Sequence, residues 1–197
     1  MAHVDYYFTV NSPWVYLAGD RLERIAAARG ATIAYKPMAL DQSFEATGFT
    51  PLPRRHPARV AYRAQELTRW ARALDMPFVL HPRFFPADPA PASAAIAALA
   101  LAGGDAGALQ RAVSRAQWAE ERDIADAATL AEIAAGLGVD LAALPLAAGM
   151  AAFRANGPAA LARGVFGAPF YVVDDGEMFW GQDRLAMLDA HLAARAV

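Results

Sequence analysis

The chain opens on a nearly continuous apolar run, Val4-Asp5-Tyr6-Tyr7-Phe8-Thr9-Val10, the pattern of a buried strand. Apolar positions then recur at helical spacing, at Val15, Ala18, Leu22, Ile25 and Ala26, with Asp20, Arg21, Glu23 and Arg24 on the opposite face. This predicts one amphipathic helix ending near Gly30, where glycine can take a left-handed cap. Residues 32–38 predict a second strand. Two strands joined by a helix within about 40 residues form a βαβ unit, which is normally parallel and right-handed.

From Asp41 the strand pattern stops for more than a hundred residues. Residues 42–57 read as loop, broken by Gly48, Pro51, Pro53 and Pro57. Helices are predicted over 58–74, 92–102, 109–121, 128–137 and 146–156, the first burying Val60, Leu67, Trp70, Ala71 and Leu74. Asp126 and Asp140 are the cap candidates in this block. Alanine raises helix propensity here and blurs periodicity, so boundaries are soft. The strand pattern returns at 168–173 and 177–180, around the hairpin turn Asp174-Asp175-Gly176. A last helix follows, capped by Asp183 and aligned on Leu185, Leu188 and Leu192. The predicted fold is α/β: a four-stranded mixed sheet with helices on both faces. Residues 1–40 and 160–197 form its domain and residues 41–159 a helical insertion.

Composition narrows the chemistry. The 197 residues include no cysteine, which excludes disulfides, protein thiolate nucleophiles and redox dithiols. Any thiol chemistry must then come from a bound thiol. A net charge of −2 gives no footprint for nucleic acid or an anionic membrane. The start of the chain lacks the pattern of a signal peptide, and the longest apolar stretches are too short to span a bilayer, so a cytoplasmic location is the expectation. The densest positive patch is Arg54-Arg55-His56, with Arg59 and Arg63 beyond it. It reads either as a solvated face or as a seat for a carboxylate.

Asn11-Ser12-Pro13-Trp14 joins the first strand to the first helix. Ser12 stands where an N-cap belongs, and Pro13 where a missing N–H costs nothing. Read plainly, Ser12 is a cap. The same placement also sets a hydroxyl beside unpaired N–H groups, a setting that favours an anion.

Three motifs stand in a telling order: Ser12-Pro13-Trp14-Val15-Tyr16-Leu17, Gly164-Val165-Phe166-Gly167-Ala168-Pro169 and Phe179-Trp180-Gly181-Gln182-Asp183-Arg184-Leu185, with Tyr62 and Arg69-Trp70-Ala71 between them. Over essentially its whole length the chain resembles the 2-hydroxychromene-2-carboxylate isomerases. These are a glutathione-dependent family akin to kappa-class glutathione transferases and DsbA-type oxidoreductases. The resemblance implies a thioredoxin-like sheet, glutathione as cofactor, and Ser12 in the place of the nucleophilic cysteine, donating a hydrogen bond to the glutathione thiolate. It implies a cis Ala168–Pro169 bond whose Ala168 backbone pairs with the cysteinyl unit, against the simpler reading of an edge-strand proline. Gln182 and Asp183 would hold the γ-glutamyl carboxylate and ammonium, although Asp183 also reads as a helix cap.

The middle of the chain departs from the family. Its usual Thr-Gly-Asn-x-Pro-Pro stretch is here Thr47-Gly48-Phe49-Thr50-Pro51-Leu52, and Arg59 stands for a lysine. Trp14, Phe49, Arg59 and Phe84 are the candidates for substrate contact; Trp14, Tyr16, Phe84 and Phe85 read equally as pocket wall or as core. The implied reaction is isomerisation of 2-hydroxychromene-2-carboxylate, or a related small aromatic carboxylate, through reversible thiolate addition. The alternatives are conjugation of electrophiles and non-catalytic binding of glutathione or a peptide. A homodimer is the expected assembly.

Overall fold

The structure, a computed structural model, describes residues 1–195. Its sheet runs β2-β1-β3-β4: β1 (His3–Phe8), β2 (Thr32–Pro37), β3 (Phe170–Val173) and β4 (Met178–Trp180). β1 pairs with β2 in parallel, and β3 is antiparallel to both β1 and β4. Alternation along the strands splits the core in two. Val4, Tyr6 and Phe8 of β1, with Tyr171 and Val173 of β3, enter one cluster; Tyr7, Phe170 and Val172 enter a second cluster with Met38, Phe44 and Ala160. A central strand covered on both faces has no reason to alternate apolar with polar. That is why β1 reads as a continuous apolar run.

The expected single first helix is two. α1 (Pro13–Tyr16) stops after one turn and α2 (Arg21–Arg29) begins afresh. Between them Gly19 takes φ +60, which other residues seldom adopt. The break also overturns the solvent face assigned to Arg21 and Glu23. Arg21 turns back to give hydrogen bonds to the Leu17 and Ala18 carbonyls, closing the end of α1. Glu23 accepts from Tyr35 Oη at 2.9 Å and from Arg111. α2 ends on Gly30 in the left-handed conformation, as expected.

The middle of the chain holds α3 (Pro57–Ala73), α4 (Ala90–Leu101), α5 (Ala106–Trp118), α6 (Ala127–Ala135) and α7 (Leu146–Ala162). Val60 is 37% exposed, not buried, because the face of α3 that packs is set by Leu67 and Ala71. Asp126 caps α6 through the Thr129 N–H at 2.8 Å. Asp140 caps only a 3-10 turn, Leu141–Ala143. α7 runs past its expected end through Pro158, held by Phe153 and Ala160 buried on either side; exposed Pro158 withdraws its hydrogen bond on the water side. Residues of α4, α5 and α6 join the same cluster as Val4 and Tyr171, so the helical block and the sheet share one core. α4 and α7 approach closely. A Cβ on Gly149 would stand 2.8 Å from the Ala98 backbone nitrogen and run into the Ala94 carbonyl.

α8 (Leu185–Ala194) closes the chain, burying Leu185, Leu188 and Leu192. Asp183 is not its cap: it lies in a preceding 3-10 turn, Gln182–Arg184, and pairs with Arg184 at 2.8 Å. Gly181, at φ +104, turns the chain there too early for Asp183 to reach the first N–H groups of α8. Among the described residues no helix is long and apolar enough to cross a membrane, and no cluster of acids and histidines could hold a metal ion.

Candidate functional site

Ser12 has extended backbone angles, φ −85 and ψ 121, at the N-cap of α1. Its N–H donates to Thr9 O at 3.0 Å and its C=O accepts from Val15 and Tyr16 at 3.1 Å each, so the main chain alone fixes the turn. The side chain makes no cap hydrogen bond. Among the described residues Oγ has no partner, although Ser12 is only 9% exposed. With proline at the first helical position, the Trp14 N–H is open beside it. α1 is one turn long, so its pull on an anion is that of these local groups and not of a long dipole.

Asn11, next in line, is clamped. Its Nδ2 donates to Ala87 O at 2.7 Å and its Oδ1 accepts from Gln117 Nε2 at 2.9 Å. Gln117 is fully buried and belongs to a polar stripe on α5 with Gln110 and Ser114. Three buried polar residues at i, i+4 and i+7 on a packing face were the available signal.

The second half of the site is the turn into β3. Tyr7 lies opposite Phe170 in the antiparallel pair, so the residues after β1 and those before β3 share one end of the sheet. The Ala168–Pro169 bond is cis, as expected. Pro169 O accepts from Gly181 N at 2.9 Å, tying this turn to the Gln182 segment. Among the described residues the Ala168 N–H and C=O are unpaired, and the residue is half-buried. Gly167 lies close under the Trp180 ring: an added Cβ would lie 2.5 Å from Trp180 Nε1, so the indole would have to shift.

Gln182 is 1% exposed, and its Oε1 accepts from Arg21, the guanidinium that closes α1. Burial lowers the Arg21 pKa, with the neighbouring Tyr171 acting in the other direction. Arg21 therefore joins the Ser12 helix to the Gln182 turn, a role its place in an apparent solvent face concealed. Asp183 keeps a part-exposed carboxylate beside Arg184. Ser12, Ala168, Pro169, Gln182 and Asp183 thus belong to one connected set of segments at one end of the sheet.

The aromatic candidates divide. Tyr16 is core, stacking on Phe78 at 6.3 Å between ring centres, and Phe78 continues the stack onto Trp118 at 5.6 Å. Phe85 packs on Trp118 from another side. Trp14 is half-buried at the margin of that cluster. Half-buried Phe84 lies under the Arg83 guanidinium at 5.2 Å. Phe49 packs against the second sheet cluster, as Ala168 does, and lines an opening of about 360 Å³ with Glu45, Gly48, Thr50 and Arg54. Arg59 is exposed in the first turn of α3. Another hollow, of about 910 Å³, lies elsewhere, between α4, α6 and α7, and none of the candidate residues lines it.

Residues 3–193 match the DSBA-like thioredoxin domain family. The chain is 34% identical to a protein of Sphingobium xenophagum named 2-hydroxychromene-2-carboxylate isomerase, over 96% of this chain and 97% of that one. A Pseudomonas putida protein of the same name is 33% identical, over 95% and 92% of the two chains. A solved 2-hydroxychromene-2-carboxylate isomerase superposes with a TM-score of 0.76 at 31% identity, covering 98% of this chain and 95% of that one.

Proposed function

This chain belongs to the 2-hydroxychromene-2-carboxylate isomerase family of DSBA-like thioredoxin-domain proteins, and from that premise we propose that it is a glutathione-dependent isomerase of 2-hydroxychromene-2-carboxylate or a related aromatic carboxylate. The observation that carries this reading is the Ser12 hydroxyl, nearly buried at a cap position yet without a partner among the described residues. A chain with no cysteine and a hydroxyl so placed fits a thiol brought by a cofactor.

Bound here, glutathione would supply a thiolate nucleophile for reversible addition to a conjugated carbon of the substrate. Ser12 Oγ–H donates to the sulfur and favours its ionised form, with the Trp14 N–H beside it. The Ala168 N–H and C=O receive the peptide part as an added strand. Asp183 meets the ammonium, while the Gln182 amide group, its oxygen fixed by Arg21, turns its nitrogen to the γ-glutamyl carboxylate. Trp14 and Phe84 line the substrate side. Holding reactant and thiolate together in one geometry supplies most of the acceleration.

Calorimetric titration with glutathione, followed by a chromene-carboxylate assay run beside an aromatic electrophile, tests the reading. Saturable binding and turnover of the chromene alone are the expected results. No binding at millimolar glutathione overturns it, and conjugation of the electrophile alone replaces isomerase with transferase.

A further inference from the structure

Among the described residues, two half-buried arginines in and beside α3 have no acid partner. Arg54 pairs with Glu45 and Arg69 with Glu66. Arg55 and Arg63 sit between these pairs, both half-buried, and among the described residues neither has a carboxylate within ion-pair distance. Arg55 Nε donates to Thr50 O at 2.7 Å, which fixes the plane of its guanidinium, and the group lies 6.0 Å over the Phe49 ring. Arg63 is one turn along α3 from Arg59, and its side chain has no hydrogen-bond partner among the described residues.

Burial, then the charge of Arg55, brings the Arg63 pKa down to about 10. Burial, then the charge of Arg59, lowers that of Arg55. Like charges partly removed from water and left uncompensated are destabilising, and a protein retains them where an anion completes the set. The planar forks of two guanidiniums match a carboxylate better than a lysine does. Phe49 connects this pair to the site. It packs against the cluster that contains Phe170 and also receives Ala168, so the ring under Arg55 and the cis-proline turn border the same part of the core.

We propose that Arg55 and Arg63, with Phe49 as the floor beneath Arg55, form a two-guanidinium seat for a ligand carboxylate beside the Ala168 turn. The proposal rests on the glutathione-isomerase reading for the identity of that ligand. The carboxylate is either the glycyl end of glutathione or the acid of the aromatic substrate. The seat replaces exposed Arg59 as the cationic contact and gives Phe49 a role where an asparagine was expected.

Arg55→Gln and Arg63→Gln separate the two sources, with Arg72→Gln, an exposed arginine of the same helix, as the comparison. If the glycyl carboxylate is seated, each variant weakens glutathione binding about ten-fold, and the glycyl ethyl ester binds wild type and variants alike. If the substrate acid is seated, glutathione affinity holds and the KM for the chromene rises by about the same factor with kcat nearly constant. Unchanged binding and KM in both variants overturn the seat, as does an equal effect of Arg72→Gln.

A second measurement needs neither a folded variant nor glutathione. Wild-type protein is labelled with phenylglyoxal with and without benzoate, and modified arginines are mapped by mass spectrometry. Benzoate is expected to protect Arg55 and Arg63 selectively, and absence of that protection overturns the proposal. Failure of wild type to bind glutathione while benzoate still protects would remove the isomerase reading and leave the seat standing.

Discussion

Ser12→Ala separates two roles that one residue could combine. A serine that caps a helix through its side chain costs roughly 0.5–2 kcal/mol when replaced by alanine. Ser12 makes no such bond, and the contacts that hold its turn, to Thr9 O and from Val15 and Tyr16, are all main-chain and survive the change. Stability should therefore move by less than about 0.5 kcal/mol. The loss should appear on the ligand instead. A hydrogen bond to a charged group is worth roughly 1.5–3 kcal/mol, and one pKa unit corresponds to about 1.36 kcal/mol. The thiol of bound glutathione should then rise by about 1–2 pKa units in the variant. Thiolate absorbance of the saturated complex, titrated across pH, reads that shift; urea denaturation of the free protein reads stability. A variant destabilised as a lost cap would be, with an unmoved thiol titration, would refute the reasoning on both counts.

Three further outcomes follow from the packing and the charges. Gly149→Val should cost about 2–3 kcal/mol by forcing α4 and α7 apart, read from the urea midpoint. Asp5, buried and bound to Arg163 at 2.6 Å and Lys36 at 3.3 Å, should cost about 2 kcal/mol as Asp5→Ala. That is below the roughly 3–5 kcal/mol of a fully buried broken pair, because the two cations keep access to water. Asp174 is held below the ordinary carboxyl range mainly by Arg195, and Asp175 mainly by the Glu177 N–H and then His191. Their folded values are depressed, so their contribution is complete above about pH 3.9 and is lost as the pH falls through the lowered values. The fall in urea midpoint between about pH 5 and pH 2 should be shallower in the Asp174→Asn, Asp175→Asn double variant. An equal fall would show that this hairpin takes no part in acid unfolding.

The strands were legible because their signal is local and redundant. β1 is apolar on both faces, and the Asp174-Asp175-Gly176 turn leaves its flanking strands few other partners. The Ser12 and Pro169 turns were legible through resemblance, since each is a short motif whose neighbours are fixed in sequence. What escaped depends on contacts distant along the chain. A single glycine, Gly19, ends α1 because Arg21 is there to take over the freed carbonyls. α7 passes Pro158 because Phe153 and Ala160 anchor it on both sides. Asp183 failed as a cap because Gly181 turns the chain first. Arg55 and Arg63 were visible as charge, but that they lack acids is a fact of the fold.

The close approach of α4 and α7 has a mechanical side. Alanine has no side-chain rotamers to lose, so joining these helices costs little entropy, and equally the contact has no adjustable part. Longer side chains would yield by changing rotamer under load; an Ala94–Gly149 contact can only slide or separate. α4 and α7 both touch β2, so this contact stands directly against the sheet edge. The α4–α7 pair is thus a stiff strut set against the sheet.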